Sequence, residues 1–249
     1  ALPICVVLLD CWRDCRYMEA SERAVSSLDL PQKALEFLTD TWGIKDLHPP
    51  QHEAIPGVLS GSNTLLAIPT ASGKSLVAYI GIIRRLLVDE PGSKAVYIVP
   101  LKALATEKHE DLVALGGSVG LTVGLGIGDA SGEAKKIEEC DILVCTSEKL
   151  DSLMRNRSEL MANVSIVVAD EFHLMNDSTR GPTLEINLTR LRYLRPNAQI
   201  IALSATVGNC QELATWLDAN LILSSWRPVA LEYSTFHDLH LEPRLVQSS

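Results

Sequence analysis

The stretch "PTASGKS", Pro69 to Ser75, places a lysine and a hydroxyl side chain directly after a glycine. That order suits a polyphosphate. Gly73 lets the backbone come close, Lys74 reaches towards the β and γ phosphates, and the Ser75 hydroxyl is a ligand for magnesium. The usual pattern also has a glycine five places before Gly73, where this chain has Ile68. The flanks decide between a phosphate loop and a chance triplet. "TLLAI" ahead of it has strand composition, and "KSLVAYIGIIRRLL" behind it sets Leu76, Ile80, Ile83 and Leu87 on one helical stripe. The turn therefore joins a strand to a helix N-terminus, where unpaired N–H groups and the helix dipole favour an anion. Pro69 fixes part of the bend, and Ile68 ends the strand.

A second group of residues is independent of the first. "VSIVVADEFH" closes an apolar run on Asp170 and Glu171. Asp170 is suited to hold magnesium through water, and Glu171 to orient or deprotonate an attacking water. Acids that merely solvate a strand end are the plainer alternative. The phosphate loop earlier in the chain favours the chemical reading.

These residues need a scaffold that brings strand ends together. From Asn63 onward, short apolar runs alternate with amphipathic stretches: "TLLAI", "KAVYIVP", "LTVGLGIG", "DILVCT", "SIVVAD", "QIIALSAT" and "LILSS". Strands alternating with helices require crossovers, and crossovers build a parallel sheet covered on both faces. The expected fold is a doubly wound α/β domain over about residues 26–225, with ligands beyond the carboxyl ends of its strands. Residues 1–25 are read as a tail apart from that fold.

Composition sets the outer bounds. The chain has 249 residues, 47% hydrophobic and 21% charged, enough for a well-buried core. Its six cysteines follow no regular framework, so a reduced, cytoplasmic setting is expected. Cys11 and Cys15 lack a second pair at zinc-finger spacing. The run Leu2 to Leu9 falls far short of the roughly 20 residues that a membrane span needs and lacks a basic leader. A formal net charge of −9 excludes a broadly basic nucleic-acid binder but not a narrow track of helix N-termini and a few cations.

"PTASGKS", "DEFH" and "SAT" (204–206), in that order and each at a strand end, resemble motifs I, II and III of the superfamily 2 DExH-box helicases. "PPQHEAI", "VPLKALATEK", "TSEKLDSLMR", "DSTRGPTLE" and "SWRPVAL" narrow the resemblance to archaeal fork-remodelling DNA helicases related to the helicase part of DNA polymerase theta. The likeness covers roughly residues 40–232. Ala71 stands where a glycine is frequent, and Phe172 where an aliphatic residue is commoner; neither is a reacting group.

The resemblance implies a RecA-like fold, ATP and Mg2+, with Pro69, Thr70, Ala71, Ser72, Gly73, Lys74 and Ser75 around the phosphates. It also implies an adenine-reading role for Gln51, whose amide matches the donor and acceptor of adenine; a solvated glutamine on a helical first turn is the other reading. Pro100 and Lys102 in "PLKALA" and Thr146 or Ser147 in "TSEK" are assigned to nucleic-acid phosphate, while helix capping alone accounts equally for the second pair. Arg180 is either a coupling residue or the start of a helix before Gly181 and Pro182. Ser204 and Thr206 would link motif II to the nucleic-acid surface, or satisfy a strand end. His173 would relay the state of the γ phosphate to them, or be a core histidine.

The implied partners are single-stranded or forked DNA and a second RecA-like domain that supplies an arginine finger. Residues 226–249 read as an exit segment toward that domain, and no arginine-rich motif follows "SWRPVAL". No membrane, and no small molecule besides nucleotide, is expected as a partner. An RNA helicase would share every motif. A non-helicase P-loop ATPase is less consistent with "PLKALA", "TSEK" and "SAT" together, whereas a stand-alone nucleotide-binding module without turnover remains open as a third reading.

Overall fold

All seven apolar runs become strands: β1 (Thr64–Ala67), β2 (Lys94–Val99), β3 (Val123–Gly126), β4 (Ile142–Thr146), β5 (Val164–Ala169), β6 (Gln199–Ser204) and β7 (Asn220–Leu223). They form one parallel sheet in the order β3-β4-β2-β5-β6-β1-β7. The structure is a computed structural model that describes residues 23–70, 72–128, 134–156, 158–229, 234–237 and 240–243. Ala71, Cys11, Cys15 and the run Leu2 to Leu9 lie outside the described residues.

Eight α-helices are described: α1 (Gln32–Glu36), α2 (Pro49–Leu59), α3 (Lys74–Arg84), α4 (Lys102–Val119), α5 (Ala134–Glu139), α6 (Ser147–Arg155), α7 (Gly181–Leu194) and α8 (Cys210–Leu217). Successive strand residues point to opposite faces, and the core divides accordingly. Leu66, Tyr97, Val144, Val168 and Leu203 face one layer with α1 to α4. Leu65, Ile98, Cys145, Val167 and Ala202 face the other, with α5 to α8. Both faces are covered, so β2, β4, β5 and β6 are apolar along nearly their whole length, as a parallel sheet requires.

Helix α3 differs from the single stripe read in the sequence. Leu76, Ile80 and Ile83 are buried as expected, but so are Val77, Ala78, Tyr79 and Ile82. The helix lies between the sheet and its neighbours α2 and α4, and so needs apolar residues nearly all round. Gly81 marks the tightest approach: a Cβ there would lie 2.6 Å from Ile201 Cδ1 and 2.9 Å from Val58 Cγ1. This packing fixes the helix whose first turn carries Lys74 and Ser75.

Packed structure extends beyond residues 26–225 at both ends. Val25 is fully buried, Ala24 bridges Asp46, and Leu47 N donates to Arg23 O at 2.8 Å. Past β7, Trp226 stacks at 4.6 Å, ring to ring, on His48. A separate antiparallel pair, β8 (Ser234–His237) and β9 (His240–Pro243), follows. Among the described residues, no helix is long and apolar enough to cross a membrane.

Candidate functional site

Because the strands are parallel, their carboxyl ends share one edge of the sheet. Register aligns them: Ala67 pairs with Ser204, Ala169 with Ala202, Ile98 with Ala169, and Val99 with Thr146. The loops after β1, β2, β4, β5 and β6 therefore open side by side. These loops, with the strand ends and helix starts that flank them, hold the described sequence-predicted site residues except Gln51 and Arg180, which α2 and the segment before α7 bring to the same edge.

The missing glycine of the phosphate loop has a plain explanation. Ile68 is fully buried and extends the β1 ladder, with its N–H donating to Ser204 O at 3.2 Å. Pro69 is buried behind it, Thr70 is exposed, and Ser72 is buried. Gly73 then caps α3 in the left-handed conformation, φ 72° and ψ 31°. A side chain is strained there, and a Cβ would also meet Gln51 Nε2 at 2.4 Å. The loop thus spends its glycine where the helix begins rather than where the strand ends.

Gln51, only 2% exposed, is already committed to the loop. Its Nε2 donates to Gly73 O at 2.8 Å and Ser72 O at 3.3 Å, and its Oε1 accepts from His48 N at 2.8 Å. Both amide hydrogens are spent on the loop, so reading an adenine requires exchanging them. Beside Gln51 a cavity of about 690 Å3 is lined by Ile44, His48, Gly73, Leu76 and Trp226 among others. The stacked His48 and Trp226 rings give it an aromatic wall that the sequence reading did not include, since the two residues lie on opposite sides of the whole sheet sequence.

Lys74 is 8% exposed, its ammonium resting on backbone carbonyls: Nζ is 3.2 Å from Ser204 O and 3.5 Å from Ile68 O. Burial pulls its pKa below the ordinary lysine value, and the charges of Glu171 and Asp170 act against that shift. Lys108, on α4, lies close enough to lower Lys74 and to favour the charged form of Asp170. The Lys108 side chain is only 13% exposed, an additional cation near the site with no assigned role from sequence.

Asp170 extends β5 by one bond, its N–H donating to Ile98 O at 2.9 Å. Burial pushes its carboxyl above the usual range, opposed first by a hydrogen bond from the Tyr97 hydroxyl, 2.9 Å from Oδ2, and then by the Glu171 N–H. Glu171 is in the left-handed region, φ 49°. A non-glycine residue there costs of order 1–3 kcal/mol, a strain that concentrates at functional sites. It turns the chain sharply into the helical turn Phe172–Asn176 and leaves the Glu171 carboxylate partly exposed, while Phe172 is fully buried.

His173 Nδ1 lies 3.4 Å from Ala205 N and 3.4 Å from Glu171 Oε2. Unprotonated, that nitrogen accepts from Ala205; protonated, it can only pair with Glu171. His173 therefore meets the segment after β6 through the backbone between Ser204 and Thr206, not through their hydroxyls. The Ser204 hydroxyl donates to Ala205 O at 2.8 Å, and Thr206 is exposed. The Asn176 and Asn209 amides bond to each other at 3.0 Å and tie the same two segments.

On the β2 and β4 side, Pro100 is half-buried, and Lys102 opens α4 and is exposed. Thr146 caps α6, accepting from Lys149 N, and both Thr146 and Ser147 are buried. The Lys149 ammonium donates to Gly128 O at 2.7 Å. Asn187, fully buried on α7, donates to Ser147 O at 2.7 Å and anchors the start of α6; nothing in the local sequence marks it. Arg180 is exposed and held by an Asp177 turn, yet it shares a small cavity with Pro100, Ser147, Asp170 and Glu171. Residues at the approach to α4 and at the start of α6 thus line one small cavity with the two acids.

A magnesium-bound nucleotide fits this chemistry. Gly73 opens α3, whose first-turn N–H groups favour phosphate, and Ser75 with Asp170 offers the hard oxygen donors that magnesium prefers. Among the described residues, no group of three or more His, Cys, Asp or Glu side chains is placed to hold a metal ion.

Residues 48–213 match the DEAD/DEAH box helicase family. The chain is 46% identical over 218 residues to the ATP-dependent DNA helicase Hel308 of Methanocella arvoryzae, covering 86% of this chain and 29% of that protein. It is 50% identical over 196 residues to Hel308 of Thermococcus kodakarensis, covering 78% of this chain and 17% of that protein. Against Hel308 of Pyrococcus horikoshii it is 46% identical over 214 residues, covering 86% and 29%. The chain spans less than a third of the length of each relative. With the phosphate loop, the paired acids and the helix N-termini on one sheet edge, in the order the family requires, this chain belongs to the DEAD/DEAH box helicases.

Proposed function

We propose that this chain is the nucleotide-binding motor domain of an ATP-dependent DNA helicase that acts on single-stranded DNA at forks. The supporting observation is the shared edge: Lys74, Ser75, Asp170 and Glu171 stand beside the start of α4 and α6, with Arg180 lining the gap between them. In this reading Lys74 leaves the Ser204 and Ile68 carbonyls for the β and γ phosphates, a charge-assisted contact stronger than the one it gives up. Ser75 and Asp170 hold magnesium, which when bound neutralises charge on the phosphate oxygens. Glu171 orients or deprotonates the attacking water, and the strained backbone aims its carboxylate away from the strand. Gln51 and the cavity beside His48 and Trp226 receive the base.

Withdrawal of the Lys74 ammonium from Ser204 O would alter the end of β6, and with it Ala205 and its bond to His173. That is a physical route from phosphate to the "SAT" segment; Lys102, Thr146 and Ser147, at the starts of α4 and α6, would hold the DNA backbone. A second RecA-like domain closing over the same edge would supply an arginine finger, worth about 10³ to 10⁵ in turnover. The DNA preference rests on the named relatives.

The test joins this chain to a second motor domain from one of those relatives and measures ATP hydrolysis with and without single-stranded DNA. Stimulation by DNA, with little hydrolysis by the chain alone, is expected. Equal stimulation by single-stranded RNA would move the reading to the RNA helicases, and hydrolysis indifferent to either would leave a P-loop ATPase.

A further inference from the structure

Tyr97 lies in β2 with no exposed surface, in the apolar layer that holds Val99, Val144 and Val168. A phenylalanine would fill the same space. What the tyrosine adds is one hydroxyl, and that hydroxyl donates to Asp170 Oδ2 at 2.9 Å. The other carboxylate oxygen, Oδ1, accepts the Glu171 N–H at 2.9 Å. Each oxygen is thus tied by one bond, from different parts of the fold, and the carboxylate plane is fixed. A phenol ordinarily titrates near pH 10, so the hydroxyl remains a donor at neutral pH.

The ring is itself held. Tyr97 packs 6.0 Å from Tyr79, at 45°, and Tyr79, four residues after Ser75 on α3, donates to Asp111 Oδ2 on α4 at 2.9 Å. Trp42 backs Tyr79 at 6.0 Å. Asp170, the helix that begins with Lys74 and Ser75, and the helix that begins with Lys102 therefore meet through two phenols. A buried carboxylate has few other donors within reach, and one left untied is free to rotate.

We propose that Tyr97 is a positioning residue for the magnesium site, its hydroxyl holding the Asp170 carboxylate in the orientation that receives the metal together with Ser75. The inference rests on the reading of Asp170 and Ser75 as the metal-holding pair. Its effect should be on metal affinity, not on the nucleotide as such.

The test titrates Mg2+ into the chain with ADP and reads ADP affinity by calorimetry at each concentration. Tyr97→Phe should raise the Mg2+ concentration at half-effect by about tenfold, the size of one hydrogen bond to a charged group. ADP affinity without metal should stay unchanged. In an Asp170→Asn background, adding Tyr97→Phe should change nothing further, since both act on one interaction. If Asp170→Asn removes the Mg2+ effect while Tyr97→Phe leaves the midpoint unchanged, the positioning role is overturned and the metal site stands. If Asp170→Asn leaves the Mg2+ effect intact, the metal-site reading itself fails. Should Tyr97→Phe not fold, Tyr97→Leu is titrated in the same way; failure of both to fold would assign the hydroxyl to stability and overturn the proposal.

Discussion

Gln51 Nε2 donates to the Gly73 carbonyl at 2.8 Å, and a methyl on Gly73 would lie 2.4 Å from that same nitrogen. One amide thus fixes the phosphate loop and forbids it a side chain. Gly73→Ala should destabilise the chain by about 1–3 kcal/mol, because alanine is strained at φ 72° and also displaces Gln51. Thermal unfolding measures this. Adding Gln51→Ala should recover only the steric part of the loss, leaving the backbone strain. Full recovery would mean that the left-handed conformation costs little.

Glu171→Gln preserves shape and left-handed backbone but removes the base. In the two-domain assembly it should retain ATP binding and lose about 10² to 10⁴ in turnover, the range for a positioned general base. Equilibrium binding and single-turnover hydrolysis separate the two effects. Turnover near that of the parent would place water activation on another group.

On the nucleic-acid side the two candidate groups should behave differently. Lys102 is exposed, so Lys102→Ala should weaken single-stranded DNA binding and lower the salt-dependence slope by about 1, without altering stability. Thr146 is buried and caps α6, so Thr146→Ala should cost about 1 kcal/mol in unfolding, with any loss of DNA affinity following from a loosened helix start. Salt-dependent fluorescence anisotropy alongside thermal melts distinguishes them.

The strands were legible because the sheet is buried on both faces, so that "KAVYIV", "ILVCT", "VSIVVA" and "QIIALS" carry their burial in composition. The edge strand read from "LTVGLGIG" is shorter than its apolar run, only Val123–Gly126. Local motifs also mark Gly73 and Lys74 at the start of a helix and Asp170 and Glu171 at a strand end. What sequence spacing cannot give is contact between distant segments: Trp226 on His48, Tyr97 on Asp170, and Asn187 on Ser147. Residue type suits Gln51 to adenine, but spacing alone does not show that its amide also holds the loop. The left-handed turn at Glu171 likewise leaves no signature, because glutamate is not a residue that adopts it readily.

The central claim is that the loop from Pro69 to Ser75 is a working phosphate site despite Ile68 at its entrance, and one calorimetric titration tests it. Lys74 gives up two carbonyl contacts and gains a polyphosphate, so the chain should bind Mg-ATP or Mg-ADP. Lys74→Ala should lose at least about tenfold of that affinity, as expected for a charge-assisted bond worth roughly 1.5–3 kcal/mol. Affinity that is unchanged in Lys74→Ala would contradict the account, since nucleotide would then be held somewhere other than the β1 to α3 turn.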